Sequence, residues 1–111
     1  MTESTAVPPV VETYLAAVQT SRLEALPTFA EDPEVTDDGT TYRGHDGIRG
    51  WLLGPASEYD ITTTRLSAEV DGDRVQVVNR IEGDFPGGVV VLRHDFTLDA
   101  SGRIARLTIA P

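Results

Sequence analysis

Apolar positions recur at helical spacing through the first half of the chain and at every second residue through the rest. In "VPPVVETYLAAVQT" the residues Val10, Val11, Tyr14, Leu15 and Val18 form one stripe, opened by Pro8 and Pro9, which predicts an amphipathic helix. "RLEALPTFAED" carries Leu23, Leu26 and Phe29 at three-residue spacing, with Pro33 just beyond, and predicts a second, short helix. "EVTDDGTTYRG" alternates about Asp38 and Gly39 and reads as a hairpin. "HDGIRGWLLG" places Ile48, Trp51 and Leu52 on one helical face, and Gly54-Pro55 stops it. Period two then takes over in "YDITTTRLSAEV", "RVQVVNRIEG", "GVVVLRHDFTLD" and "RIARLTIA", four strands separated by Asp- and Gly-rich turns.

Helices first and a meander of hairpins afterwards is the order of an α+β fold. The expected architecture is a cone-shaped, curved antiparallel sheet with three N-terminal helices packed over its concave face. A bent sheet closed by short helices tends to keep a pocket at its mouth. The chain has 111 residues, enough for one core. A single domain is expected over residues 7–111, behind a disordered polar tail at residues 1–6, "MTESTA". That tail lacks the features of a secretory signal, so a cytoplasmic location is expected.

Charge narrows the partners. The formal net charge is -9 and all nine basic residues are arginine. Such a chain repels phosphate backbones and anionic lipid, so neither nucleic acid nor membrane is an expected partner. There is no cysteine, hence no thiolate nucleophile. With only His45 and His94 available, no His/carboxylate metal cluster can be drawn, and His45 and Asp46 read as loop and helix-cap residues.

Four polar residues stand where apolar ones are expected, and each has two readings. Asp37 is either a carboxylate facing the pocket, able to shuttle protons, or one half of an Asp-Asp-Gly turn; Asp38, beside the glycine, is the better turn residue. Tyr14 lies on the apolar helix stripe, as a packed ring or as a hydroxyl aimed at a ligand oxygen. His94 shares a strand face with Leu92, Phe96 and Leu98, as a core histidine or as a donor to a ligand. Asn79 shares its face with Val75, Val77 and Ile81, where its amide must find partners in the protein or in a ligand.

The phrases "VVETYLAAVQT", "FAEDPEV" and "YRGHDGIRGWL", with this order of elements, resemble the nuclear transport factor 2-like superfamily over most of the chain, in particular its ketosteroid isomerase and SnoaL-like polyketide cyclase branches. The resemblance implies that Tyr14 falls at an oxyanion-hole tyrosine, Asp37 at a general-base aspartate, and Trp51 at an aromatic position lining the cavity. A second oxyanion donor, an aspartate one residue before His-Phe in the isomerase, falls on His94, because the order here is His-Asp-Phe. What is implied is a cofactor-free and metal-free isomerase or cyclase acting on a small hydrophobic carbonyl compound. Asp37, Tyr14 and His94 would be catalytic, and Asn79, Trp51, Phe29, Phe96 and Leu107 would line the pocket. A non-catalytic domain holding an apolar ligand is the alternative.

The limonene-epoxide hydrolase-like branch offers a different chemistry. Arg80 and Glu82 imitate its Arg-x-Asp pair, yet they lie on the face opposite Asn79, and Ile109 stands where the further aspartate belongs. A surface ion pair is the expected fate of Arg80 and Glu82. The outer sheet face, with Val78 and Val91 among Arg80, Arg93, Thr97 and Arg106, is of the kind this superfamily buries by back-to-back pairing, and a homodimer is expected.

Overall fold

The computed structural model describes residues 7–54 and 59–111; the expected tail at residues 1–6 and the Pro55 stop signal lie outside them. Helix α1 spans Pro9–Ala17, follows an extended Pro8, and buries Val11, Tyr14, Leu15 and Ala17. A 3-10 helix, Arg22–Thr28, comes next. Strands β1 (Phe29–Asp37) and β2 (Thr40–Arg43) form the hairpin, α2 (Gly44–Leu53) follows, and β3 (Ile61–Asp71), β4 (Arg74–Gly83), β5 (Val89–Leu98) and β6 (Ile104–Ala110) complete the sheet.

The second helix is shorter than its apolar spacing suggests. Pro27 lies inside it, without the N–H that an α-helical turn needs, and the backbone is extended by Phe29. Residues 29–32, expected in that helix, therefore open β1, where Phe29 pairs with Ile104. Phe29 stays buried because strand and helix present the same side chain to the same core.

The sheet order is β2-β1-β6-β5-β4-β3. β1 runs parallel to β6, and the other four pairings are antiparallel. Register irregularities between Phe29 and Glu34, Arg65 and Ser67, and Thr97 and Leu98 bend the strands, as bulges do. The bent sheet stays open at its edges and wraps the helices. Val35, Val75, Val77, Phe96, Ile104 and Leu107 from its concave side meet Val11, Tyr14, Ile48 and Leu52, all essentially inaccessible to solvent. This is the α+β arrangement expected from the chain's two periodicities. Among the described residues, no helix is long and apolar enough to cross a membrane.

Candidate functional site

The hairpin between β1 and β2 sorts the two adjacent aspartates. Asp38 (φ 52) and Gly39 (φ 81) are both left-handed, the backbone of a two-residue turn matched to strand twist. Asp38 is accordingly exposed at the turn. Asp37 is still in the strand, paired with Thr40 on one side and Ile109 on the other, and is partly buried.

Register carries that position across the sheet. Asp37 is opposite Ile109, and Ile109 is opposite His94. Asp37 and His94 are thus two strand spacings apart on one transverse row, roughly 10 Å between backbones, with Ile109 between them. Asn79, on β4, is opposite Leu92, one strand further and diagonal to His94. All four line a cavity of about 520 Å³, as do Tyr14 from α1 and Trp51 from α2.

Each polar group there has a definable state. Trp51 is 2% exposed, and its indole N–H donates to Asp37 Oδ2 at 3.0 Å. No described residue donates to the other carboxylate oxygen. The Tyr14 hydroxyl is buried with its ring and makes no hydrogen bond to a described residue. Burial, and then the nearby Asp37 carboxylate, push its pKa well above the usual tyrosine value, so it remains a protonated donor. Burial pulls His94 down to about 4, outweighing the opposing pull of Asp95 and the Leu92 carbonyl. His94 is therefore neutral at pH 7, with Asn79 Nδ2 3.4 Å from its Nδ1 and its ring stacked near Phe96.

The structure separates the eight residues singled out in the sequence into two groups. Tyr14, Asp37, Trp51, Asn79 and His94 line the cavity. Phe29, Phe96 and Leu107, expected in its wall, lie in the core instead. The reason is Tyr14, whose ring meets Phe29 edge-on at 5.8 Å and Phe96 at 5.5 Å. Phe29 and Phe96 therefore pack against Tyr14 within the core and are not among the residues lining the cavity.

A candidate polyketide cyclase from Sinorhizobium meliloti superposes with a TM-score of 0.86 at 33% identity, over 94% of this chain and 95% of that one. The chain belongs to the nuclear transport factor 2-like superfamily. Two further structures share the fold. The Δ5-3-ketosteroid isomerase from a Mycobacterium species matches with a TM-score of 0.76 at 20% identity, covering 95% of this chain and 94% of its own. The protein RV0760c from Mycobacterium tuberculosis, in complex with estradiol-17β-hemisuccinate, matches with a TM-score of 0.76 at 15% identity, covering 92% and 90%. No family model and no curated protein matches the chain.

Within this nuclear transport factor 2-like scaffold, the outer face carries the hydrolase look-alike. Arg80 and Glu82 pair with each other at 3.1 Å, about half exposed, while Ile109 lines the cavity. His45 and Asp46 fall inside α2, which begins at Gly44. Sequence reasoning missed part of the cavity wall, where Tyr59 and Phe85 meet edge-on at 5.7 Å and Ile61 and Thr63 join them. The alternation of β3 and the "DFPGG" turn carry these residues, but neither pattern says that they line the cavity. The bond from Trp51 to Asp37 was also missed, although a buried indole N–H calls for an acceptor.

Proposed function

We propose that the protein is a cofactor-free acid-base enzyme acting on a small hydrophobic carbonyl compound, as an isomerase or a cyclase. The reading is carried by one observation: Asp37 is fixed by Trp51 through one oxygen, in a cavity that also holds the unpartnered Tyr14 hydroxyl and a neutral His94.

Asp37 takes a proton from the carbon next to the substrate carbonyl through its free oxygen. The C–H pair becomes the C=C of an enolate, and negative charge gathers on the carbonyl oxygen. Tyr14 O–H and an imidazole N–H of His94 donate to that oxygen, in a setting where displaced water leaves their dipoles unscreened. Asp37 then returns the proton to a more distant carbon in an isomerisation. In a cyclisation, the enolate carbon attacks a second carbonyl of the same substrate, and the new alkoxide takes the proton.

The apolar cavity, with the carboxylates of Asp37 and Asp38 and, among the described residues, no arginine in its lining, fits neutral ketones and not phosphorylated substrates. The neighbours bound to a steroid derivative or named as a ketosteroid isomerase support the choice of ring-sized substrates. The enzyme acts as a homodimer joined through its outer sheet face, where Val91 is 46% and Val89 53% exposed among Arg80 and Arg93.

A panel of β,γ-unsaturated ketones, followed by the ultraviolet absorbance of the conjugated product, tests the isomerase form; diketone cyclisation followed by mass spectrometry tests the other. Protein-dependent conversion of at least one substrate is expected. Thermal stabilisation by those ketones with no conversion of any would replace the enzyme by a binding protein of the same fold.

A further inference from the structure

The charges of the molecule are distributed unevenly between its surface and its cavity. Arg43 and Arg106 pair with Glu34, Arg65 with Glu12, Arg80 with Glu82 and Arg93 with Asp95. Asp37 and Asp38 take part in none of these pairs. Among the described residues they are also the only formally charged side chains lining the cavity, because His94 is held neutral and no arginine is among the lining residues. The whole chain adds a formal net charge of -9. A cleft lined by one sign of charge within low-dielectric walls concentrates counter-ions of the other sign.

The walls suit a particular kind of counter-ion. Tyr14, Trp51, Tyr59 and Phe85 border the cavity together with Ile61 and Val90, so an inorganic cation would lose its hydration and gain little. An ammonium group attached to a hydrocarbon gains twice, by aromatic and aliphatic contact and by a charge-assisted hydrogen bond to a carboxylate. The carboxylate is ready for it: Trp51 occupies Oδ2 of Asp37, and among the described residues no donor occupies Oδ1. The buried, unpartnered Tyr14 hydroxyl on the same cavity offers a further polar contact to whatever enters.

We propose that this cavity binds hydrophobic ammonium ions, with the ligand's N–H on the free Oδ1 of Asp37 and its hydrocarbon against the aromatic and aliphatic walls. The inference goes beyond the carbonyl reading and is independent of it, since it requires the cavity and one free oxygen but no reaction.

Three probes of the same shape and different charge test it: N,N-dimethylbenzylamine, isobutylbenzene and phenylacetate. Their affinities are measured at pH 7 and low salt through the fluorescence and indole N–H resonance of Trp51, the chain's single tryptophan. The amine is expected to bind at least about tenfold more tightly than the neutral probe, with phenylacetate weakest, and to shift the indole resonance because it shares Asp37 with Trp51. Asp37→Asn, checked for folding by its circular dichroism, is expected to bring the amine down to the neutral probe. Asp38→Asn is expected to keep the preference. Equal affinity of amine and neutral probe for the wild type overturns the proposal, as does no binding of the amine. A preference surviving Asp37→Asn also overturns it, because general attraction to an acidic protein would then suffice. Amine binding without ketone turnover would leave this inference standing and remove the enzymatic one.

Discussion

The indole N–H of Trp51 holds Oδ2 of Asp37 at 3.0 Å, tying the last turn of α2 to the last residue of β1. A carboxylate anchored by one oxygen presents the other in a fixed direction, and proton transfer is sensitive to such direction. Trp51→Phe keeps most of the ring and removes the donor. Its expected effect is a roughly tenfold or larger fall in kcat with KM nearly unchanged, the signature of a lost transition-state alignment. An equal rise in KM would assign Trp51 to ligand packing alone.

Tyr14→Phe separates the hydroxyl from the ring. The edge contacts with Phe29 and Phe96 remain, and an unpartnered buried polar atom disappears. Thermal unfolding is therefore expected at the wild-type temperature or slightly above it, while activity falls by roughly 10²–10³. Denaturation curves and initial rates on one preparation check both halves.

His94 makes stability depend on pH with a definite sign. Its folded pKa lies near 4, below the 6.5 of an unfolded histidine, so the unfolded state binds the extra proton first. The native state should lose stability as pH falls from about 6.5 to about 4 and no further on this residue's account. The magnitude is of the order of 3 kcal/mol. Urea unfolding at pH 7 and pH 4.5, compared with His94→Gln, isolates the contribution, because carboxylate effects are common to both proteins. An unchanged pH slope in the variant would mean that His94 is not held neutral by burial.

The outer face predicts association. Val91→Arg places a charge among Arg80 and Arg93; across β4 and β5, Val91 is opposite Arg80 and Val78 is opposite Arg93. Light scattering should give about twice the 12.0 kDa chain mass for the wild type and a shift toward the single chain for the variant. A wild-type particle of single-chain mass at micromolar concentration contradicts the dimer.

What was legible beforehand depended on how local the cause was. The alternation of β3 to β6 and the apolar faces of α1 and α2 fix side-chain direction within a few residues, and these elements fall where the pattern puts them. Residues 29–32 escaped because Phe29 satisfies both the helical spacing and the strand, and Pro27 decides between them. The parallel pairing of β1 with β6 joins distant segments, on which short-range spacing is silent. Tyr14, Asp37, Asn79 and His94 could be singled out as polar residues on apolar faces. Which apolar residues pack in the core and which border the cavity depends on sheet curvature, and so Phe29, Phe96 and Leu107 were expected in the wall and lie in the core.

The opposed geometry of the two neighbouring aspartates gives the most direct measurement. Asp37 faces the cavity from the strand, and Asp38 forms the turn at φ 52, a backbone asparagine adopts as readily. Proton exchange between a hydrophobic ketone and deuterated water, followed by NMR, is compared for wild type, Asp37→Asn and Asp38→Asn. The expected result is exchange abolished to background in Asp37→Asn, with its fold and ketone binding retained, and within about twofold of wild type in Asp38→Asn. Exchange by Asp37→Asn at the wild-type rate would remove Asp37 as the base and leave "TDDG" as turn chemistry alone.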